Sequence, residues 1–117
     1  MIDRTAWIDC IPNGWHELFT NMCAEINAAC EKLGVGDTYQ VIDVKEKYGY
    51  MCIYDWMKNY TNVPQKIRDI VNHYECESVR TCPICGKRKL PEHDMCIACA
   101  HRYEEMADGV IDYKMLP

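Results

Sequence analysis

Apolar residues recur at helical spacing in two stretches of the chain, and a stretch of alternating character lies between them. The first helical stretch, residues 13–33, is followed by Gly34, which can end a helix in the left-handed conformation, and Asn13 is placed to cap its start. Its apolar stripe consists of Trp15, Leu18, Phe19, Met22, Cys23, Ile26, Cys30 and Leu33. The pattern predicts an amphipathic helix with one buried face.

Residues 38–57 are rich in β-branched and aromatic side chains and predict an antiparallel hairpin that reverses near Tyr48-Gly49. A second helix is predicted over residues 63–79, with Pro64 in its first turn. Two helices packed on a small hairpin predict an α+β core over residues 1–79. Side chains of the second strand alternate: Met51, Ile53 and Asp55 point one way, and Tyr50, Cys52, Tyr54 and Trp56 point the other.

Composition and charge narrow the class of protein. Apolar residues make up 49% and charged residues 26%, which is ordinary for a globular chain. No apolar run approaches the roughly 20 residues that cross a bilayer, and the N-terminus lacks a signal-peptide pattern, so we expect a soluble, cytoplasmic protein without membrane contact. The net charge of −5 arises in residues 1–79, which carry 7 basic and 12 acidic side chains. This balance argues against a general phosphate-binding surface on the core.

Four of the nine cysteines form two Cys-x-x-Cys pairs, Cys82 with Cys85 and Cys96 with Cys99, separated by ten residues. Two residues between paired cysteines let both sulfurs reach one tetrahedral ion at about 2.3 Å. Two such pairs without a βαβ pattern favour zinc over dithiol chemistry. Because four thiolates leave no open coordination position, we expect one structural Zn²⁺ per chain.

Residues 80–117 are therefore expected to form a four-cysteine zinc finger that follows the core. The run Ala100–Ala107 contains good helix formers, and Gly109 is placed to end this C-terminal helix. A knuckle, a loop and a last ligand pair that opens a helix is the layout of a treble-clef finger, and a zinc ribbon is the alternative. Three other cysteines, Cys10, Cys52 and Cys76, are expected to be buried thiols.

Three segments in order resemble a family of small bacteriophage and prophage proteins: residues 14–18 (Gly-Trp-His-Glu-Leu), 44–49 (Val-Lys-Glu-Lys-Tyr-Gly) and 78–86 (Ser-Val-Arg-Thr-Cys-Pro-Ile-Cys-Gly). In that family a Gly-Trp helix precedes a Lys-Glu-Lys-Phe-Gly hairpin, and a helix runs into a Cys-x-x-Cys-Gly knuckle. This chain has Tyr48 where Phe is usual and Met51-Cys52 where Leu-Arg is common. The resemblance implies this fold and a phage or prophage setting, with the bacterial host cytoplasm as the location.

Common enzyme signatures such as Gly-rich phosphate loops are missing, so we expect a protein that is not an enzyme. Two other functions are compatible with these features. The first is binding to a host protein through Tyr50, Tyr54 and Trp56, as an inhibitor or modulator of a host complex such as a defence system. The second is nucleic-acid binding by basic residues of the finger. These residues are Arg80, Lys87, Arg88, Lys89 and Arg102.

Overall fold

The computed structural model describes residues 1–106 and has an α+β fold with a two-stranded antiparallel sheet, as predicted. Its elements are helix α1 (Arg4–Trp7), 3₁₀ turns Ile8–Cys10 and Asn13–Trp15, helix α2 (His16–Leu33), strands β1 (Tyr39–Lys47) and β2 (Tyr50–Met57), and helices α3 (Gln65–Val79) and α4 (Ile97–Met106). Within the described range, no helix is long and apolar enough to cross a membrane. The predicted end of the last helix at Gly109 lies outside the described residues.

Helix α2 matches the predicted amphipathic helix, but its start differs from the prediction. Asn13 does not cap it, because Asn13 begins a 3₁₀ turn and Trp15 occupies the N-cap position without a side-chain cap hydrogen bond. The end is as expected: Gly34 is left-handed at φ 69°, and its N–H donates to the carbonyls of Cys30 and Glu31. Five residues of the predicted stripe are buried on α2: Phe19, Met22, Cys23, Ile26 and Cys30. Leu33, predicted on the same stripe, is exposed because it lies in the last turn, beyond the packed part of the helix.

The hairpin reverses at Tyr48-Gly49, as predicted. Both residues have positive φ, 53° and 86°, which is the conformation of a two-residue type I′ connection. The strands pair from Tyr39 opposite Met57 to Lys47 opposite Tyr50, with an irregularity between Val41 and Asp43 that the sequence pattern did not reveal. This bulge at Ile42 lets both halves of β1 turn their apolar residues toward the helices.

One face of the hairpin and the stripes of α2 and α3 form a single core. Met51, Ile53 and Met57 of β2 are buried in the same cluster as Ile67 and Ile70 of α3. Side chains of α3 also close the outer edge of β2: the N–H of Met51 donates to Ser78 Oγ at 2.8 Å, and that of Ile53 donates to Glu75 Oε2 at 2.9 Å. Helix α3 therefore contributes both apolar and polar contacts to the sheet.

Backbone carbonyls of the finger accept hydrogen bonds from the 3₁₀ turn that precedes α2. Gly14 N–H donates to the Pro83 carbonyl at 2.8 Å, and the Nε1–H of the fully buried Trp15 donates to the Thr81 carbonyl at 2.9 Å. A Cβ on residue 14 would lie 2.1 Å from the Cys82 carbonyl oxygen, so only glycine permits this approach. The end of α3 at Val79 coincides with the predicted boundary, yet the two parts of the chain are in direct contact.

We expect Gly14→Ala to lower the free energy of unfolding by about 2 kcal/mol or more, because the added methyl must displace the knuckle backbone. Urea denaturation of the purified protein measures this change. Gly36→Ala is the matched control, since its Cβ would meet only the flexible Met1 side chain at 3.3 Å, and its expected effect is within about 0.5 kcal/mol. Equal stabilities of the two variants would contradict the docking contact.

Candidate metal centre

The first ligand pair lies on a tight knuckle. Gly86 has φ 80°, its N–H donates to the Cys82 carbonyl at 2.9 Å, and Cys82 N–H donates to the Lys87 carbonyl at 2.7 Å. A single antiparallel bridge between Thr81 and Arg88 closes the base of the turn. The positive φ of Gly86 lets the chain fold back under the two sulfurs, as the Cys-x-x-Cys-Gly motif predicts.

The second ligand pair lies at the start of helix α4. Cys96 immediately precedes the helix, Cys99 is in its first turn, and Ala100 N–H donates to the Cys96 carbonyl at 3.0 Å. Residues three apart on a helix share a face, so both sulfurs point toward the knuckle. A knuckle followed by a loop and a helix is the treble-clef-like layout, and not that of a zinc ribbon, where the second pair would lie on a strand turn.

The four cysteine sulfurs form one cluster in which all Sγ atoms lie within 4.8 Å of one another. The Sγ atoms of Cys85 and Cys96 lie 3.5 Å apart. Four thiolates at about 2.3 Å from a tetrahedral ion lie about 3.8 Å apart. Cys82, Cys96 and Cys99 are buried, and Cys85 is exposed. The donor set and its spacing therefore fit one tetrahedral metal ion.

The surroundings of Cys82 lower the pKa of its thiol. Burial acts to raise its pKa, but backbone N–H donors of Cys85, Cys96 and Ile84 outweigh burial and lower the pKa to about 7. Desolvation inside the cluster and the neighbouring thiols raise the pKa values of both Cys85 and Cys99. Cys82 therefore carries negative charge more readily than Cys85 or Cys99, and a bound cation would stabilise the further thiolates.

The other cysteines and nearby histidines do not join this cluster in the part of the chain that the structure describes. Cys23 and Cys30 are buried on the stripe of α2. The prediction that Cys10 and Cys76 are buried is wrong: both are exposed, because the face of α3 that carries Cys76 is turned away from the core, and Cys10 ends a surface 3₁₀ turn. Cys52 is half-buried.

The predicted basic residues of the finger differ in their surroundings. Arg88 pairs with Glu77 at 3.1 Å, and Lys89 Nζ donates to the Val79 carbonyl at 2.7 Å. Burial lowers the pKa of Lys89. Arg80 and Lys87 are exposed, and Arg102 is exposed on α4. Four of the five, all except Arg102, line a single groove on the finger.

The predicted aromatic residues lie together on the outer face of the hairpin, opposite the core. Tyr54 is 37% exposed, while Tyr50 and Trp56 are half-buried. Tyr60, which the sequence reasoning did not include, extends this face with its ring edge-on to Trp56 at 5.4 Å between centroids. We call Tyr50, Tyr54, Trp56 and Tyr60 the aromatic face. Trp15 does not belong to it, because its side chain is fully buried.

Comparisons with protein-family models, with curated proteins and with solved structures find no match.

We expect the purified protein to contain one zinc ion per chain by elemental analysis. Cys85→Ser should abolish stoichiometric zinc without disturbing packing, because Cys85 is the exposed member of the cluster. Cys76→Ser, at an exposed cysteine outside the cluster, should retain full zinc content. Equal zinc content in both variants would contradict the four-cysteine site.

Zinc affinity should fall as the pH falls. The thiols of Cys85 and Cys99 have raised pKa values and must lose protons on binding, so each pH unit lost near neutrality should weaken binding by about a hundredfold or more. Below the Cys82 pKa of about 7, zinc must displace a further proton from Cys82, so the affinity falls more steeply with pH. Competition with a chromophoric chelator measures this; a constant affinity between about pH 6 and about pH 8 would argue against thiolate ligation.

Proposed function

We propose that this chain is a small zinc-binding protein that acts by binding another protein and not by catalysis. The cluster of four cysteines supports zinc as the ion, because four thiolates in tetrahedral geometry are a typical structural zinc site. A closed set of four sulfur ligands leaves no position for water or substrate. The ion is then a structural cross-link that holds the knuckle against α4.

The observation that supports protein binding is the aromatic face. The buried residues of β2 and α3 share one cluster, so the described helices occupy the opposite side of the hairpin. Aromatic residues are favoured anchors at protein interfaces, since they supply large contact areas with few rotatable bonds. An aromatic face left at the surface of a small domain is better explained by a partner than by core packing.

The charges beside the aromatic face indicate the chemistry of the partner. Lys45 Nζ lies 5.1 Å from the ring centroid of Tyr54, and Lys47 Nζ lies 5.8 Å from that of Tyr48. The nearby carboxylate of Asp43 lies 3.8 Å from Lys45 and offsets only part of this charge. Two copies packed through this face would oppose like charges, whereas an acidic and apolar surface of a different protein would complement it.

The resemblance to phage and prophage proteins supports a bacterial host protein as this partner. A small protein without catalytic groups can alter a larger complex by occupying one of its surfaces. We therefore favour an inhibitor or modulator of a host complex, with a defence system as one example. Nucleic-acid binding is the less supported function, because Arg88 and Lys89 are already engaged within the finger.

A photo-crosslinking amino acid at position 54 should capture a host protein from bacterial lysate, whereas the same group at Leu33, an exposed apolar residue at the end of α2, should not. The captured protein is then purified and titrated calorimetrically. We expect the double variant Tyr54→Ala and Trp56→Ala to bind it about thirtyfold more weakly or worse, as hot-spot residues do.

Leu33→Ala is the matched control for that titration and should bind as the unaltered chain does. Zinc content and thermal unfolding of the variants verify that the fold is intact. An unaltered affinity in the folded double variant, or equal crosslinking from positions 33 and 54, would overturn the proposed role of the aromatic face.

A further inference from the structure

The finger carries a groove of about 590 Å³ between the end of α3, the knuckle and the start of α4. Its apolar lining includes Leu90, Met95 and Ile97. Met95 is buried at 4% exposure, whereas Leu90 and Ile97 are 59% and 76% exposed. The groove therefore presents two large aliphatic side chains to solvent above a buried methionine.

Two residues of this apolar lining, Met95 and Ile97, flank a ligand of the candidate metal centre. Ile97 directly follows the ligand Cys96, and Met95 directly precedes it. Met95 packs in the same buried cluster as Cys82, Cys96 and Cys99, so it has a structural role. Ile97 and Leu90 do not belong to that buried cluster. Exposed aliphatic side chains held in fixed positions by a rigid site are suited to receive an apolar group from another molecule.

Basic side chains border the same groove. Arg88 and Lys89 line it but are engaged with Glu77 and the Val79 carbonyl. Arg80 and Lys87 also line it, and neither side chain makes a hydrogen bond or ion pair with the described residues. The groove thus combines an aliphatic lining with two cations that are available to an outside ligand.

We propose that this groove binds an acidic segment of a partner protein, in which an apolar side chain enters between Leu90 and Ile97 and flanking carboxylates meet Arg80 and Lys87. Glu92 and Asp94 lie close enough to Lys89 to offset its charge, so Arg80 and Lys87 are the charges that favour an acidic ligand. The aliphatic lining requires an apolar group that a phosphate backbone lacks. Two available cations would give a nucleic acid few phosphate contacts, on a chain whose net charge is −5. This site is separate from the aromatic face and does not depend on its role.

A random peptide library is the probe for this groove. The full zinc-loaded chain is used to select binders, and selected peptides are resynthesised with a fluorescent label for anisotropy titrations. We expect acidic peptides with a central apolar residue. The charge-reversed double variant Arg80→Glu and Lys87→Glu should bind them about tenfold more weakly or worse, because both rim contacts become repulsive.

Ile97→Ser tests the apolar part of the groove and should weaken binding by a similar factor, about tenfold. The matched control is Lys32→Glu and Lys66→Glu, which reverses two exposed lysines on α2 and α3 and should leave affinity unchanged apart from general charge effects. The double variant Tyr54→Ala and Trp56→Ala should also bind these peptides normally, which separates this groove from the aromatic face.

Four results would overturn the proposal: selection of no acidic peptides, equal loss of affinity in the two charge-reversed variants, full affinity in Ile97→Ser, or tighter binding of a labelled single-stranded DNA oligonucleotide than of the peptides at the same salt concentration. Zinc content measured on every variant confirms that a loss of binding does not reflect a loss of the fold.

Discussion

The contact between the 3₁₀ turn at Gly14-Trp15 and the knuckle backbone is the constraint on which the rest of the structure depends. Each of the two hydrogen bonds in this contact contributes only about 1 kcal/mol to the free energy of unfolding. Removing a buried ring such as that of Trp15 typically costs about 3–5 kcal/mol, so burial of the ring is the larger contribution. The ring belongs to the core of the hairpin and helices, while its N–H reaches Thr81. A single side chain thus joins the core to the segment that enters the metal centre.

Local elements of the fold could be predicted from the sequence because their signals are short-range. Gly34 ends α2 and Tyr48-Gly49 reverses the hairpin for reasons confined to neighbouring residues. The features that could not be predicted join distant positions. The steric requirement at Gly14 arises from Cys82, and the N–H groups of β2 are satisfied by Ser78 and Glu75. A glycine before a large aromatic residue was the one available signal of a close approach.

In the candidate site too, short-range features could be predicted from the sequence and contacts between distant residues could not. The paired spacing of the cysteines predicted which four would meet, because two short motifs are enough to build a tetrahedral set. No local pattern reveals that Arg88 is paired with Glu77 and Arg80 is not, since this depends on how α3 ends beside the knuckle. Alternation divided the residues of β2 correctly into two faces, but only packing showed that Tyr54 faces away from the helices.

The hydrogen bonds from the edge of β2 to side chains of α3 bear on aggregation. Exposed strand edges are templates for fibril-like association, and a two-stranded sheet has proportionally more edge than a larger one. Glu75 and Ser78 occupy donors that a foreign strand would need, and the bulge near Ile42 interrupts the regular ladder of the other strand. Both edges of the hairpin therefore offer an interrupted row of hydrogen-bonding groups to a foreign strand, which disfavours open-ended polymerisation.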